Sequence, residues 1–144
     1  MPKPDTTVKA VVTAAIRRHS MEMDEWGSTR LWDEADEGHA RLMAADLRLE
    51  VGEEPILYSL VSDLEWTLFT SRAVEYAHEG RRDRVAIASI EKHSAGNFKG
   101  YRRQAAELLE LTTTDGAVHR CPYVTGKPSI GTLYALSTLL RVAT

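Results

Sequence analysis

Residues 106–123 read AELLELTTTDGAVHRCPY and contain the strongest local signal in the chain. Two runs with apolar side chains at alternating positions are joined at Asp115-Gly116. An Asp-Gly pair between such runs is typical of a β-hairpin, because glycine readily adopts the left-handed backbone conformation that tight hairpin turns need. The stretch therefore predicts two antiparallel strands, and with them an antiparallel sheet.

The register of this hairpin follows from its apolar pattern. A two-residue turn would place Leu111 opposite Arg120. A three-residue turn, with Gly116 left-handed in a β-bulge, would instead place Leu111 opposite His119 and Cys121 on the core face. The second arrangement keeps the apolar side chains together, so we expect it.

Strand signals precede the hairpin from Pro55 onwards, where the apolar period changes from helical to two. We expect strands in PILYSLVS (55–62), in LEWTLFTSRAVEYAHE (64–79) as one long or two consecutive strands, and in RVAIASI (84–90). A helix follows the hairpin. Pro128 suits its first turn, Ser129 can cap it, and apolar residues recur at helical spacing to Leu140.

Helical patterns also occupy the first third of the chain. Asp5 or Thr6 can cap a helix that runs to about His19, with apolar residues on one face. After a break at Gly27, a second helical pattern extends from Leu31 to Leu47. The sequence therefore predicts two N-terminal helices before the strands begin.

Together these elements predict a single α+β domain over residues 1–144. Its first part, residues 1–52, is helical. Its second part, residues 53–144, is a bent antiparallel sheet or partial barrel of about six or seven short strands, capped by the C-terminal helix. Of the three tryptophans, Trp66 lies in an alternating strand, so we expect it in the core.

The segment from Pro55 to Ala143 resembles the pleckstrin-homology-like (PH-like) superfold, a strongly bent sheet closed at one end by a helix. The resemblance is one of element order: WTLFTSRAVEY (66–76), RVAIASI (84–90), the Asp115-Gly116 hairpin and PSIGTLYALSTLLRV (128–142). A four-stranded sheet with packed helices is the alternative. Folds of this type host many functions, so the fold implies no particular activity.

The composition is that of an ordinary globular protein, with 43% hydrophobic and 27% charged residues. No apolar run approaches the roughly 20 residues that cross a bilayer, and the N-terminus lacks the apolar core of a signal peptide. The one cysteine, Cys121, excludes an internal disulfide. We therefore expect a cytoplasmic protein.

Charge is distributed unevenly along the chain, whose net charge is only −3. From Ser20 to Glu54 there are eleven acidic residues and three arginines, a local charge of −8. From Arg81 to Arg103 there are seven basic and two acidic residues, a local charge of +5. Either these segments form solvated surfaces that partly pair with each other, or one of them attracts an oppositely charged partner.

The acidic segment is the leading candidate for a partner-binding surface. Aromatic residues surrounded by charge resemble the apolar centre and polar rim of a protein interface. The small size, acidity and tryptophan content are similar to those of immunity proteins of bacterial toxin systems, which implies a protein partner such as a cognate toxin with a basic active site. The residues are Asp24, Glu25, Trp26, Trp32, Asp33, Glu34, Asp36 and Glu37.

Three alternatives remain. The N-terminal helices could form a homodimer that acts as a scaffold. A basic patch could bind a phosphoinositide or membrane surface at the open end of the sheet; it consists of Arg81, Arg82, Arg84, Lys99, Arg102 and Arg103. The third alternative is a small hydrolase, with Cys121 as nucleophile and His93 or His119 as base.

Motifs for cofactor chemistry are incomplete. TGKPS (125–129) lacks the upstream glycine of a phosphate-binding loop, and Pro128 removes a backbone N–H where such a loop needs one. His119 and Cys121 would supply only half of a zinc site. We therefore expect no metal ion, no cofactor and no catalytic activity, and neither a nucleic acid nor a membrane as the partner.

Overall fold

Eight strands in two antiparallel sheets and three α-helices make up the computed structural model, which describes residues 3–20, 23–95 and 106–143. The helices are α1 (Asp5–His19), α2 (Glu37–Ala44) and α3 (Ser129–Val142). The strands are β1 (Thr29–Leu31), β2 (Pro55–Ser62), β3 (Glu65–Thr70), β4 (Ala73–His78), β5 (Arg81–Ala86), β6 (Ile90–Ala95), β7 (Ala106–Thr113) and β8 (Val118–Val124). The expected α+β class is confirmed.

The strands do not form a closed barrel. The first sheet has the order β1-β2-β3-β4-β5 and the second the order β6-β7-β8. In the described chain no backbone ladder joins the two sheets; instead β8 packs across β2, β3 and β4. The partial barrel expected from the sequence is therefore two separate sheets that share one core.

The main core lies between the two sheets and is closed by α1 and α3. Its residues are apolar and almost fully buried; among them are Val12, Ile16, Leu57, Phe69, Val74, Leu109, Leu111, Tyr123, Leu136 and Leu139. A smaller apolar cluster lies on the other face of the first sheet, where α2 covers Trp66. Trp66 is buried, as the alternating pattern predicted.

Among the described helices, none combines the length and apolarity that crossing a bilayer requires.

Hydroxyl groups on the inner face of the first sheet hold the backbone of β8. We call this set, Thr29, Ser59 and Thr67, the polar seam. The Thr67 hydroxyl donates to the Pro122 carbonyl at 2.6 Å, and the Val124 N–H donates to the Ser59 hydroxyl at 2.9 Å. Thr29 and Ser59 share a further hydrogen bond of 2.8 Å. All three hydroxyls are buried and hydrogen-bonded, so these bonds offset the cost of removing the hydroxyls from water while they fix the second sheet on the first.

The hairpin between β7 and β8 has the register that the apolar pattern predicted. Leu111 pairs with His119, and Cys121 is buried in the core. Gly116 has φ = 87°, in the left-handed region of the bulge. The Asp115 carboxylate accepts hydrogen bonds from the Thr113 hydroxyl and the Ala117 N–H, and the first of these contributes most to lowering its pKa.

The second N-terminal helix is shorter than its pattern predicted. Its predicted first residue, Leu31, is instead the last residue of β1, which pairs with β2 and carries Thr29 of the polar seam. The helix begins only after Asp36, whose carboxylate accepts a hydrogen bond from the His39 N–H. Strand pairing and capping thus override the helical periodicity of this segment.

Two other boundaries differ from the sequence prediction. RVAIASI is not one strand: β5 ends at Ala86, a 3-10 turn spans Ile87–Ser89, and β6 starts the second sheet. At α3 the Ser129 hydroxyl does not cap the helix but donates to the Gly126 carbonyl, and at α1 neither Asp5 nor Thr6 is the cap. The segment 64–79 forms two consecutive strands, β3 and β4, which is one of the two arrangements expected from the sequence.

Trp26 is part of the core rather than of the surface. Its ring is 1% exposed and packs against α3 at Gly131. A Cβ atom at position 131 would lie 2.6 Å from Cζ3 of the ring, closer than such atoms approach. The glycine therefore allows the helix and the tryptophan to make contact.

We expect Gly131→Ala to destabilise the protein by roughly 1–3 kcal/mol, because the new methyl group overpacks this contact. Adding Trp26→Phe, which removes the clashing ring, should recover part of the loss. Gly38→Ala in α2 is the matched control: its Cβ would meet only the Asp36 carboxylate, so the change should be close to neutral. Urea denaturation measures all three; equal effects of Gly131→Ala and Gly38→Ala would contradict the packing described for Trp26.

We also expect Gly116→Val to destabilise the hairpin by roughly 1–3 kcal/mol, since a β-branched residue resists positive φ. No atom lies within 4 Å of the added Cβ, so the cost is backbone strain and not a clash. Gly116→Asn should therefore be much milder, because asparagine tolerates the left-handed region. Thermal unfolding of both variants tests the turn; equal losses would contradict it.

Candidate functional site

One flank of α1 carries charged side chains at helical spacing. Val8, Val12 and Ile16 face the core. Asp5, Lys9 and Arg17 are separated by multiples of four residues, so they lie along a neighbouring flank. Each of them contacts an oppositely charged side chain.

The first half of the acidic segment meets α1 at Lys9 and Arg17. Lys9 Nζ is 2.9 Å from Asp33 Oδ1 and 3.6 Å from Glu54 Oε2, and Arg17 Nη2 is 2.6 Å from Glu34 Oε1. Lys9 is only 17% exposed, whereas Asp33 is 71% exposed. The lysine is therefore covered and the carboxylates face outwards.

The second half of the acidic segment meets the N-terminus of α1 through Arg72. Its guanidinium makes two hydrogen bonds to the Asp5 carboxylate, at 2.9 and 2.7 Å, and one of 3.0 Å to Glu50. It also donates to the Val51 carbonyl at 3.0 Å. The bidentate contact holds the pKa of Asp5 below its usual range.

These contacts place four carboxylates, three of them exposed and that of Glu54 partly exposed, along one side of α1. We call this surface the acidic stripe; it consists of Asp33, Glu34, Glu50 and Glu54. From Asp5 to Arg17 the helix rises by roughly 18 Å, which gives the length of the stripe. Beyond Glu34, Asp24 adds a further carboxylate, since both line a groove of about 200 Å³.

A buried ion network lies beneath the stripe, and the sequence did not predict it. Arg84 contacts Glu53 at 2.8 Å and Glu75 at 3.2 Å, and both carboxylates are almost fully buried. Glu75 also accepts two hydrogen bonds from the Arg48 N–H, at 3.0 and 3.3 Å. The irregular segment 45–54 is thereby fixed across β4 and β5.

Glu53 remains ionised in spite of its burial. Burial by itself raises the pKa of this carboxyl, but hydrogen bonds from Arg84, the Glu50 N–H and Thr70 outweigh that effect and leave the pKa lowered. The network therefore holds the segment 45–54 on β4 and β5 through charged groups.

The predicted acidic and aromatic residues fall into several environments. Asp33 and Glu34 belong to the stripe. Asp36 caps α2, and the His39 N–H lowers its pKa. Trp32 is half-buried and packs edge-on against Tyr58, with ring centroids 6.2 Å apart. The remaining acids, Asp24, Glu25 and Glu37, are exposed, with Glu25 3.6 Å from Lys127. The interpretation of Trp26 as a contact residue is corrected by its burial.

Of the predicted basic patch, the structure describes Arg81, Arg82 and Arg84. Arg84 points into the buried network, and Arg82 contacts Asp46 at 2.5 Å. Arg81 is exposed on β5. Lys99, Arg102 and Arg103 lie outside the described residues. The acidic and basic segments therefore pair with each other at Asp46, Glu50 and Glu53.

The residues of the hydrolase alternative lie on two strands of the second sheet, His93 on β6 and both His119 and Cys121 on β8. Cys121 is buried, and burial holds the pKa of its thiol far above the usual range. His93 is on β6, two strands away from Cys121 in the sheet order. In the described chain no group of three or more histidine, cysteine, aspartate or glutamate residues has the geometry for a metal ion.

His119 lines an open cleft of about 950 Å³ between the ends of the two sheets. Its Nδ1 shares a hydrogen bond of 2.8 Å with the Tyr76 hydroxyl and lies 3.6 Å from Asp83 Oδ2. Burial raises the pKa of Tyr76 to about 12, so this hydroxyl keeps its proton at neutral pH. The Tyr76–His119 hydrogen bond is thus a further polar contact between the two sheets, in addition to those of the polar seam.

No protein-family model, curated protein or solved structure matches this chain.

We expect Glu53→Gln to destabilise the protein by roughly 1–3 kcal/mol at pH 7, because the variant removes the charged partner of Arg84. A carboxyl whose pKa is lowered by folding contributes its full stabilisation to the folded state above the pH at which a free glutamate titrates, about 4.3. At lower pH this contribution is lost. The difference in unfolding free energy between wild type and variant should therefore be constant above about pH 5 and shrink below it.

Glu110→Gln is the control, since this exposed carboxylate contacts the exposed Arg120 at 3.2 Å and has no other ion pair among the described residues. Its removal should change stability by less than about 0.5 kcal/mol. A pH-independent difference between wild type and Glu53→Gln would contradict the ionised state of Glu53.

Proposed function

We propose that the chain is a non-catalytic, PH-like protein-binding domain that binds a basic surface of a partner protein through the acidic stripe. The observation that carries the proposal is the geometry at Lys9. This cation draws Asp33 and Glu54 together but is itself covered, so that the stripe is held in place while its carboxylates face solvent.

A fixed acidic surface suits the recognition of a basic partner. Exposed charges of one sign accelerate the encounter with an oppositely charged protein and exclude partners of the same sign. Since Arg17 and Arg72 already restrain Glu34 and Glu50, these side chains lose less rotamer freedom on binding than free side chains would.

The element order supports the PH-like part of the proposal. Strands β2 to β5 form one consecutive antiparallel run and β6 to β8 a second, and α3 packs against the shared core. Strand β1, from the N-terminal part, is an addition at the edge of the first sheet.

Within this proposal, an immunity protein is the specific case that best suits a small acidic domain. The stripe would cover the basic active-site cleft of a toxin, such as that of a nuclease. The lipid-binding and hydrolase alternatives receive less support, because Arg84 and Cys121 are both directed into the protein interior.

Charge reversal tests the proposed function. The tagged chain is incubated at low salt with a lysate of the organism that encodes it, beside the double variant Asp33→Lys, Glu34→Lys. We expect the wild type to retain a basic protein whose affinity falls at least about 10-fold in the variant, and whose complex dissociates as salt rises.

The control is Glu91→Lys, Glu110→Lys, which changes the net charge equally but on the second sheet. It should retain the same protein as the wild type. Thermal unfolding of each variant verifies that the fold is intact. Retention of no basic protein, or equal loss in both double variants, would overturn the proposed function.

A further inference from the structure

We propose that Leu49 and Val51, at the tip of the segment 45–54, form the apolar centre of the interface and insert into a small apolar pocket of the partner that is rimmed by lysine or arginine. This inference rests on the proposed function and names the contact that the acidic stripe surrounds. We call residues 49–51 the apolar tip.

An acidic surface alone lacks the apolar core that protein interfaces have inside their polar rim. The sequence suggested Trp26 for this part, but it is buried. Among the described residues, the exposed large apolar side chains are Leu49, Val51, Leu64 and Val118. The first two of these belong to the acidic segment, and Val51 is 97% exposed.

The apolar tip is held rigidly. Gly52 has φ = 84°, which permits the tight turn that follows Val51. The Glu50 N–H donates to Glu53 Oε1 at 3.0 Å, and the Glu53 N–H donates to the Glu50 carbonyl at 3.1 Å. Arg72 holds the Val51 carbonyl from the other side. A turn fixed in this way presents its side chains with little further loss of entropy on binding.

The charges around the apolar tip define the chemistry of its partner. Glu50 lies in the tip, and Glu54 follows it at Lys9. Both belong to the acidic stripe, so the tip is continuous with the surface that would recognise a basic partner. Arg72 bonds to Glu50 and to the Val51 carbonyl, but Glu50 and Glu54 extend the tip into the acidic stripe, so a pocket that is apolar inside and positively charged at its rim would complement it.

Matched substitutions of two exposed valines test the inference. With the basic protein retained in the charge-reversal experiment as the probe, Val51→Ser should weaken binding about 10-fold or more, mainly through faster dissociation. Val118→Ser, at a 46% exposed valine on the second sheet, should leave binding unchanged. Because the lost contact is apolar, the effect of Val51→Ser should persist at high salt.

The two proposals can fail separately. If charge reversal weakens binding but Val51→Ser and Val118→Ser have equal affinities, the inference about the apolar tip is wrong and the proposed function stands. If no basic protein is retained, the proposed function fails.

A second measurement needs no purified partner. A photo-crosslinking amino acid is placed at position 51 or at position 118 in the chain expressed in its own organism. We expect a discrete adduct from position 51, abolished by Asp33→Lys, Glu34→Lys, and none from position 118. Absence of an adduct at 51, or the same adduct from both positions, would overturn the inference.

Discussion

Arg84 lies between two buried carboxylates, and much of the surface depends on this contact. It binds Glu53 from the irregular segment 45–54 and Glu75 from β4, and both side chains are almost fully buried. Removing the cation would leave two uncompensated buried charges. The acidic stripe above the network is therefore fixed by electrostatics, since the segment that carries Glu50 has no regular secondary structure of its own.

The same constraint explains why this acidic protein is locally ordered. A stretch such as Glu50 to Glu54 would repel itself and remain extended in isolation. Arg72 and Arg84 offset that repulsion, and both come from the strand region that follows in sequence. The two charge blocks of the sequence thus meet at Arg82 and Arg84, and the carboxylates of the acidic stripe remain outward-facing.

Local signals in the sequence predicted those parts of the fold that local chemistry determines. The Asp115-Gly116 turn, the pairing of Leu111 with His119 and the burial of Trp66 all follow from alternation and turn chemistry over a few residues. The first N-terminal helix and α3 were predicted from apolar periodicity. By contrast, β1 (Thr29–Leu31) was not predicted, and Leu31 was expected to start a helix, because the pairing of this strand with β2 is specified by residues nearly thirty positions away.

The candidate site was only half predictable for the same reason. Composition identified Asp33 and Glu34 as candidates, but nothing near Lys9 or Arg72 in the sequence indicates which acids these residues contact. The burial of Trp26 depends on Gly131, more than a hundred residues further along the chain. Charge pairing and close packing between distant segments leave no periodic signature, so they emerge only from the three-dimensional structure.

The polar seam has a consequence for how such a protein can evolve. Hydrogen bonds are directional and apolar contacts are not, so Ser59 and Thr67 determine the angle at which β8 crosses the first sheet. The surrounding leucines and valines can then be exchanged for other apolar residues of similar volume without rotating the sheets. In sequences that diverge from this chain, we therefore expect positions 59 and 67 to keep small hydroxyl residues while the apolar residues around them change.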